Sequence, residues 1–145
     1  MFDFFKRYDV HLSPEVRGRV TLEGKPLSGL EVYRTLDYGK EYVHTVETDS
    51  DGQFGFPEMN IKSNRPGRLF DETRVRQVIG LFYEGENYLL WYTVPGGITP
   101  RKTLSAKLRT LNCELTVPEM EHVFQNHEHP SFPHGVFSIC RWDND

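Results

Sequence analysis

Val16-Arg17-Gly18-Arg19-Val20-Thr21-Leu22 sets apolar Val16, Gly18, Val20 and Leu22 against polar Arg17, Arg19 and Thr21. Side chains two apart share a face of an extended chain, so the stretch reads as a strand with one dry and one wet face. Glu23-Gly24-Lys25-Pro26 follows as a turn, with Gly24 free to take positive φ and Pro26 fixing the next one. The grammar then repeats. Leu30, Val32 and Arg34 share a face of the next strand, and Asp37-Tyr38-Gly39-Lys40 makes a second turn. Residues 41–48 are rich in β-branched and aromatic side chains. Asp49-Ser50-Asp51-Gly52 is a third turn, since Asp and Ser bond their own backbone and Gly accepts the left-handed conformation. Gln53-Phe54-Gly55-Phe56 restarts the alternation with both phenylalanines on one side.

Further along, residues 60–73 break the pattern and read as a long loop, the kind that carries contacts or moves. Residues 75–83 and 88–94 are the most apolar strands, joined by Glu84-Gly85-Glu86-Asn87 as a hairpin. Regular register puts Trp91 with Leu89 on one face, and Tyr88, Leu90 and Tyr92 on the other. Pro95-Gly96-Gly97 lacks the Lys-Ser/Thr of a phosphate loop and reads as a plain turn. Residues 107–117 read as a strand, with a helical turn at 103–108 left open. Residues 119–125 read as a short helix, and 135–142 as a closing strand. The expectation is an all-β, antiparallel Greek-key β-sandwich of about seven to eight strands, with at most one short helix. Its 145 residues suffice for one domain, 1–145, with a core unit at 15–94 and C-terminal strands plus a His-rich loop at 95–145.

Three ordered blocks carry a family resemblance: Val16-Arg17-Gly18-Arg19-Val20, then residues 24–32 (GKPLSGLEV), then residues 48–56 (TDSDGQFGF). They resemble the carboxypeptidase regulatory-like domain, which belongs with transthyretin-like, prealbumin-type sandwiches. The resemblance implies a transthyretin-like fold and, because such sandwiches host unrelated roles, no activity. The 5-hydroxyisourate hydrolases of this group end in Tyr-Arg-Gly-Ser, whereas this chain ends Arg141-Trp142-Asp143-Asn144-Asp145. The intradiol dioxygenases need two Tyr and two His on iron, and no block here matches that ligand motif. The chain as a whole resembles small stand-alone bacterial proteins that partner secreted toxins or secretion components.

A hydrophobic content of 37% excludes a disordered chain, and a net charge of −4 argues against a phosphate-backbone binder. No apolar run reaches the ~20 residues of a membrane span, and the first residues do not form a secretory signal. The expectation is a cytoplasmic protein that binds neither nucleic acid nor membrane. Cys113 and Cys140 are then expected as two reduced, buried small hydrophobes. No Gly-x-Ser-x-Gly elbow occurs, so nucleophilic catalysis has no support.

Two clusters could carry function. Arg65, Arg68 and Arg74 flank the long loop with Phe70 between, and Arg beside an aromatic is what a protein-interface anchor uses. Glu119 and Glu121 head an acidic last third that could block a cationic site on a partner. The second cluster is His122, His127, His129 and His134, whose residue types suit a metal but whose spacing is that of a polar loop. No cofactor is expected. The expected function is therefore a non-enzymatic protein-binding sandwich, in its concrete form a bacterial immunity protein that inhibits a cognate toxin. The alternatives are an accessory module of a secretion assembly and a metal-dependent enzyme using 122–134. The sequence leaves the oligomeric state open.

Overall fold

In the computed structural model, which describes residues 6–69, 71 and 73–143, the opening alternation is strand β2 (Val16–Leu22). Val16 and Val20 are fully buried while Arg17 and Arg19 face water. Strand β2 is the hub of a four-stranded sheet. Strand β10 (Leu111–Glu114) runs parallel along one of its edges, and β6 (Gln53–Phe56) and the short β3 (Lys25–Pro26) run antiparallel along the other. Glycine at position 18 is required by its neighbours: a Cβ there would stand 2.5 Å from the Phe54 ring and 2.9 Å from Leu111 Cβ. The ring uses the room that the missing side chain leaves. The turn before β6 holds because Asp49 Oδ1 accepts the amides of Asp51 and Gln53, both at 2.9 Å, while Gly52 takes φ +75°.

The second sheet has six antiparallel strands in the order β11-β12-β9-β8-β4-β5. These are β4 (Glu31–Tyr38), β5 (Lys40–Glu47), β8 (Arg76–Tyr83), β9 (Glu86–Thr93), β11 (Met120–Phe124) and β12 (His134–Ser138). The two inner faces enclose one core. Val16, Val20, Phe54, Phe56 and Leu111 meet Val32, Ile79, Leu81, Trp91 and Val136, and Leu104 and Leu108 of helix α1 (Lys102–Leu108) join them. A two-stranded ribbon of β1 (Tyr8–Ser13) and β7 (Met59–Ser63) closes a second cluster around Val10, Leu12, Leu36, Tyr38 and Val75. This is an all-β sandwich with one short helix.

Several local expectations change. The loop expected at 60–73 begins as β7, paired residue for residue with β1 from Tyr8↔Ser63 to His11↔Asn60, and only the rest is irregular. The expected helix at 119–125 is strand β11: buried His122 and Phe124 alternate with exposed Glu121 and Val123, and pairing to β12 satisfies the backbone. The strand expected at 107–117 divides into the end of α1 and β10. Along β9 the register steps from Ile79↔Trp91 to Gly80↔Leu89, a bulge at Leu90. Leu90 and Trp91 are therefore both fully buried, where simple alternation had put them on opposite faces. The described residues include twelve strands, several of only two to five residues, so the count exceeds seven or eight.

The two cysteines also depart from expectation. Cys113 on β10 and Cys140 just past β12 are both fully buried and joined in a disulfide, with Cα atoms 4.1 Å apart. The two short segments lie side by side, with the Arg141 amide on the Asn112 carbonyl at 3.0 Å. The bond ties one sheet to the other.

Glu114, at the end of β10, organises the Glu23-Gly24 turn. Its carboxylate accepts the amides of Glu23 (3.0 Å) and Gly24 (2.8 Å) and the Thr21 hydroxyl (3.0 Å), and it also takes the Thr116 amide and hydroxyl. Burial pushes its pKa up, but these donors outweigh burial and hold the carboxyl at about 2. Glu114→Ala strips the turn of its acceptor and is expected to cost roughly 2 kcal/mol. Urea denaturation measures it, and Glu114→Gln, which keeps one oxygen, is expected to fall between the two.

Candidate functional site

The inner face of the six-stranded sheet is core, which leaves the outer face to be explained. Cross-strand registers place Val43, Thr35, Val78, Tyr92, Phe137 and Glu121 in one continuous row across all six strands. Beside that row Tyr33 packs on Phe82 with ring centroids 6.1 Å apart, and Tyr92 meets Phe137 edge to face at 6.3 Å. Phe82 is 65% exposed, Val123 67% and Val43 55%, so a band of aromatic and aliphatic side chains faces water. Monomeric proteins rarely leave a contiguous apolar surface of this kind without a use for it.

Charge frames the band. Glu31, Glu41, Glu47 and Glu121 stand exposed on the same face, and none pairs with a basic group among the described residues. Arg76 is neutralised by Asp37 at 3.2 Å. The face is thus apolar in the middle and acidic around it. Glu121 of the sequence-based set belongs here, and exposed Glu119 lies directly before β11. Phe82, Phe137 and Val43 were not singled out from the sequence, although each lay in a segment read as a strand. Their missing signal was the pairing that shows which face of each strand is turned outward.

The basic set divides. Arg65 is spent inside the molecule: it pairs with Asp71 at 3.0 Å and lies over the Tyr38 ring at 5.2 Å. The Tyr38 hydroxyl also donates to Asp71, and burial together with that carboxylate pushes Tyr38 up to about 12. Arg68 donates to its own neighbour Asn64 at 3.0 Å. Phe70 lies outside the described residues. Besides sharing a shallower depression with Arg65, Asp37 and Asp71, Arg74 lines a cavity.

That cavity, of about 540 Å³, lies between the Pro95-Gly96-Gly97 turn and the loop joining β11 to β12. Arg74, Arg101, His129 and His134 line it, together with Asn126 and Phe132. The four histidines of the sequence-based cluster do not converge. His122 is buried between Phe124 (5.8 Å, stacked) and Trp142 (5.0 Å, edge on), and exposed His127 lines a separate depression beside β11 and Lys107. His129 and His134 reach the first cavity. Among the described residues, no three His, Cys, Asp or Glu side chains come together in a way that could hold a metal ion. Nor is any described helix long and apolar enough to cross a membrane.

Residues 16–118, most of the chain, match the family described as "Domain of unknown function (DUF6795)". No curated protein and no solved structure matches the chain. The chain belongs to the DUF6795 family.

Proposed function

We propose that this member of the DUF6795 family is a non-enzymatic protein-binding sandwich whose six-stranded sheet docks, outer face first, on a partner protein with a basic, apolar surface. The single observation that supports this reading is the exposed Val43–Phe137 row framed by unpaired carboxylates. Aromatic side chains bury much area at small entropic cost, and the acidic surround steers a cationic partner and fixes its orientation. The concrete form is an inhibitor that covers a cationic site of a bacterial toxin. The regulatory-like, transthyretin-like assignment is part of the same proposal. It is supported by the close Gly18–Phe54 contact and by the Asp49–Gly52 turn, which sit in the blocks that carry the resemblance.

Compartment enters through the cysteines. A fully buried disulfide joining two sheets is favoured where thiols are oxidised, so we place the working protein in an oxidising compartment in preference to the reducing cytoplasm.

The test is affinity capture from the native host with the wild-type chain and with a Phe82→Lys/Phe137→Lys variant shown to retain its melting temperature. A stoichiometric basic partner held by the wild type, released by salt and lost by the variant is the expected result. Equal capture by the variant overturns the reading, as does light scattering that shows the face consumed in a homodimer.

A further inference from the structure

The cavity at the β11–β12 end is chemically unlike the sheet face. Its charged lining consists of two arginines and two histidines, with no carboxylate among the described lining residues. Neither Arg74 nor Arg101 forms an ion pair with a described carboxylate. Arg101 reaches the Gly96 carbonyl and, at 3.4 Å, the Thr99 hydroxyl, which fixes its direction without neutralising it. Glu128, which accepts the Lys102 amide at 3.0 Å, is close enough to act on Arg101 and His134 through its charge, but it forms an ion pair with neither and does not line the cavity. Two guanidinium groups on one cavity whose lining holds no carboxylate make it a place where an anion is favoured.

His134 is the second observation. It begins β12, is only 6% exposed, and its Nε2 is shut off from solvent with no hydrogen-bond partner among the described residues. A buried polar atom left in that condition costs free energy that a ligand oxygen would recover.

The walls are built rather than loose. Asn126, itself buried, donates to the Phe132 carbonyl at 2.9 Å and accepts the His129 amide at 3.1 Å, and the Phe132 amide returns to the His129 carbonyl at 2.9 Å. The Thr93 hydroxyl holds the Gly135 carbonyl at 2.8 Å, while an Arg74–Gly96 bridge and the Gly97 amide on the Thr73 carbonyl (2.8 Å) brace the opposite side. This bracing presents the Phe132 ring 72% exposed at the cavity, where no packing inside the protein accounts for it. A volume of about 540 Å³ lies within the range of small-molecule sites.

We infer that this cavity binds a small organic anion, a carboxylate or phosphate carried on a planar apolar group, with Arg74 and Arg101 holding the charged end, His134 contributing a hydrogen bond and Phe132 stacking on the ring. The site is separate from the sheet face and stands whether or not that face binds a protein.

Phenyl phosphate and benzoate are the probes, titrated into the full chain and followed by amide and histidine-ring NMR. One-to-one saturation is expected, with shifts at His134, Asn126 and Phe132. Whichever probe binds more tightly tells whether phosphate or carboxylate is the preferred head group. Inorganic phosphate is expected to bind at least about tenfold more weakly for want of the ring. Arg74→Gln, an exposed change that spares the fold, and Arg101→Gln are each expected to weaken binding by about tenfold or more. Phe132→Ala is expected to erase the preference over inorganic phosphate. Absence of saturable shifts with both probes at millimolar concentration, or unchanged affinity in both arginine variants, would overturn the assignment.

Discussion

Unfolding the chain in the presence of a reductant is expected to lower its stability by roughly 3–4 kcal/mol relative to the oxidised protein, with little change in the native fold. Cys113 and Cys140 are 27 residues apart, and closing a loop of that size removes a large share of the unfolded chain's freedom. The native state has little to lose geometrically, because β10 and the segment after β12 are already held by the Arg141–Asn112 backbone bond and the surrounding core. Both sulfurs are fully buried, so reduction of the folded protein is expected to be slow and to proceed through unfolding. The measurement is a pair of urea curves with and without a phosphine reductant, alongside a thiol count on the denatured, unreduced chain. Superimposable curves, or two titratable thiols before reduction, would show that the bond does not form. A preserved bond in protein isolated from its host would support the oxidising compartment proposed above.

Why the sequence revealed some of this and not the rest is a matter of locality. The Val16–Leu22 alternation, the Asp49–Gly52 turn and the strand face that includes Val32 and Arg34 are set by neighbours two to four residues apart, and the structure keeps them. What depended on distant pairing was not legible. Residues 119–125 carry a pattern too short to separate strand from helix, and β12 decides it. The bulge at Leu90 arises from how β9 meets β8. Cys113 and Cys140 meet only because β10 adds to β2 in parallel after a crossover through α1. The candidate sites follow the same rule. Arg74 could be named from sequence, but Arg101, Asn126 and Phe132 are drawn to it from separate segments. Arg65 looked like an interface anchor until Asp71 and Tyr38 were seen to claim it.

Arg34→Ala is expected to cost roughly 4 kcal/mol, the largest effect of any single substitution proposed for this chain. Its side chain is 1% exposed in the middle of β4, and no described carboxylate accompanies it. The charge is stabilised by other means. Nη1 donates to the Pro57 carbonyl at 2.8 Å and reaches Ser13 Oγ at 3.4 Å, Nε and Nη2 face His44 Nδ1 at 3.3 and 3.2 Å, and the group lies 5.0 Å over the Phe56 ring. Burial lowers its pKa to about 10, which leaves it charged at neutral pH. One guanidinium thereby joins β4 to β5, to Ser13 at the end of β1 and to Pro57 just after β6. Truncation leaves those acceptors dry and opens a void. Arg34→Met fills the volume without a buried cation and is expected to recover most of the loss. If Met is as damaging as Ala, the bonds outweigh the packing. The same contact sets a pH dependence. Desolvation, and then the Arg34 charge, hold His44 below its usual 6.5, so the unfolded chain takes up a proton that the folded chain refuses. Stability from this site is complete above about pH 6.5 and is lost as the pH falls toward the lower pKa of the folded state. His134 adds to that slope through its burial, so the Arg34–His44 share is read as a difference. Melting temperatures taken across this range are expected to fall less steeply for Arg34→Met than for the wild type, and equal slopes would mean that the guanidinium does not restrain His44.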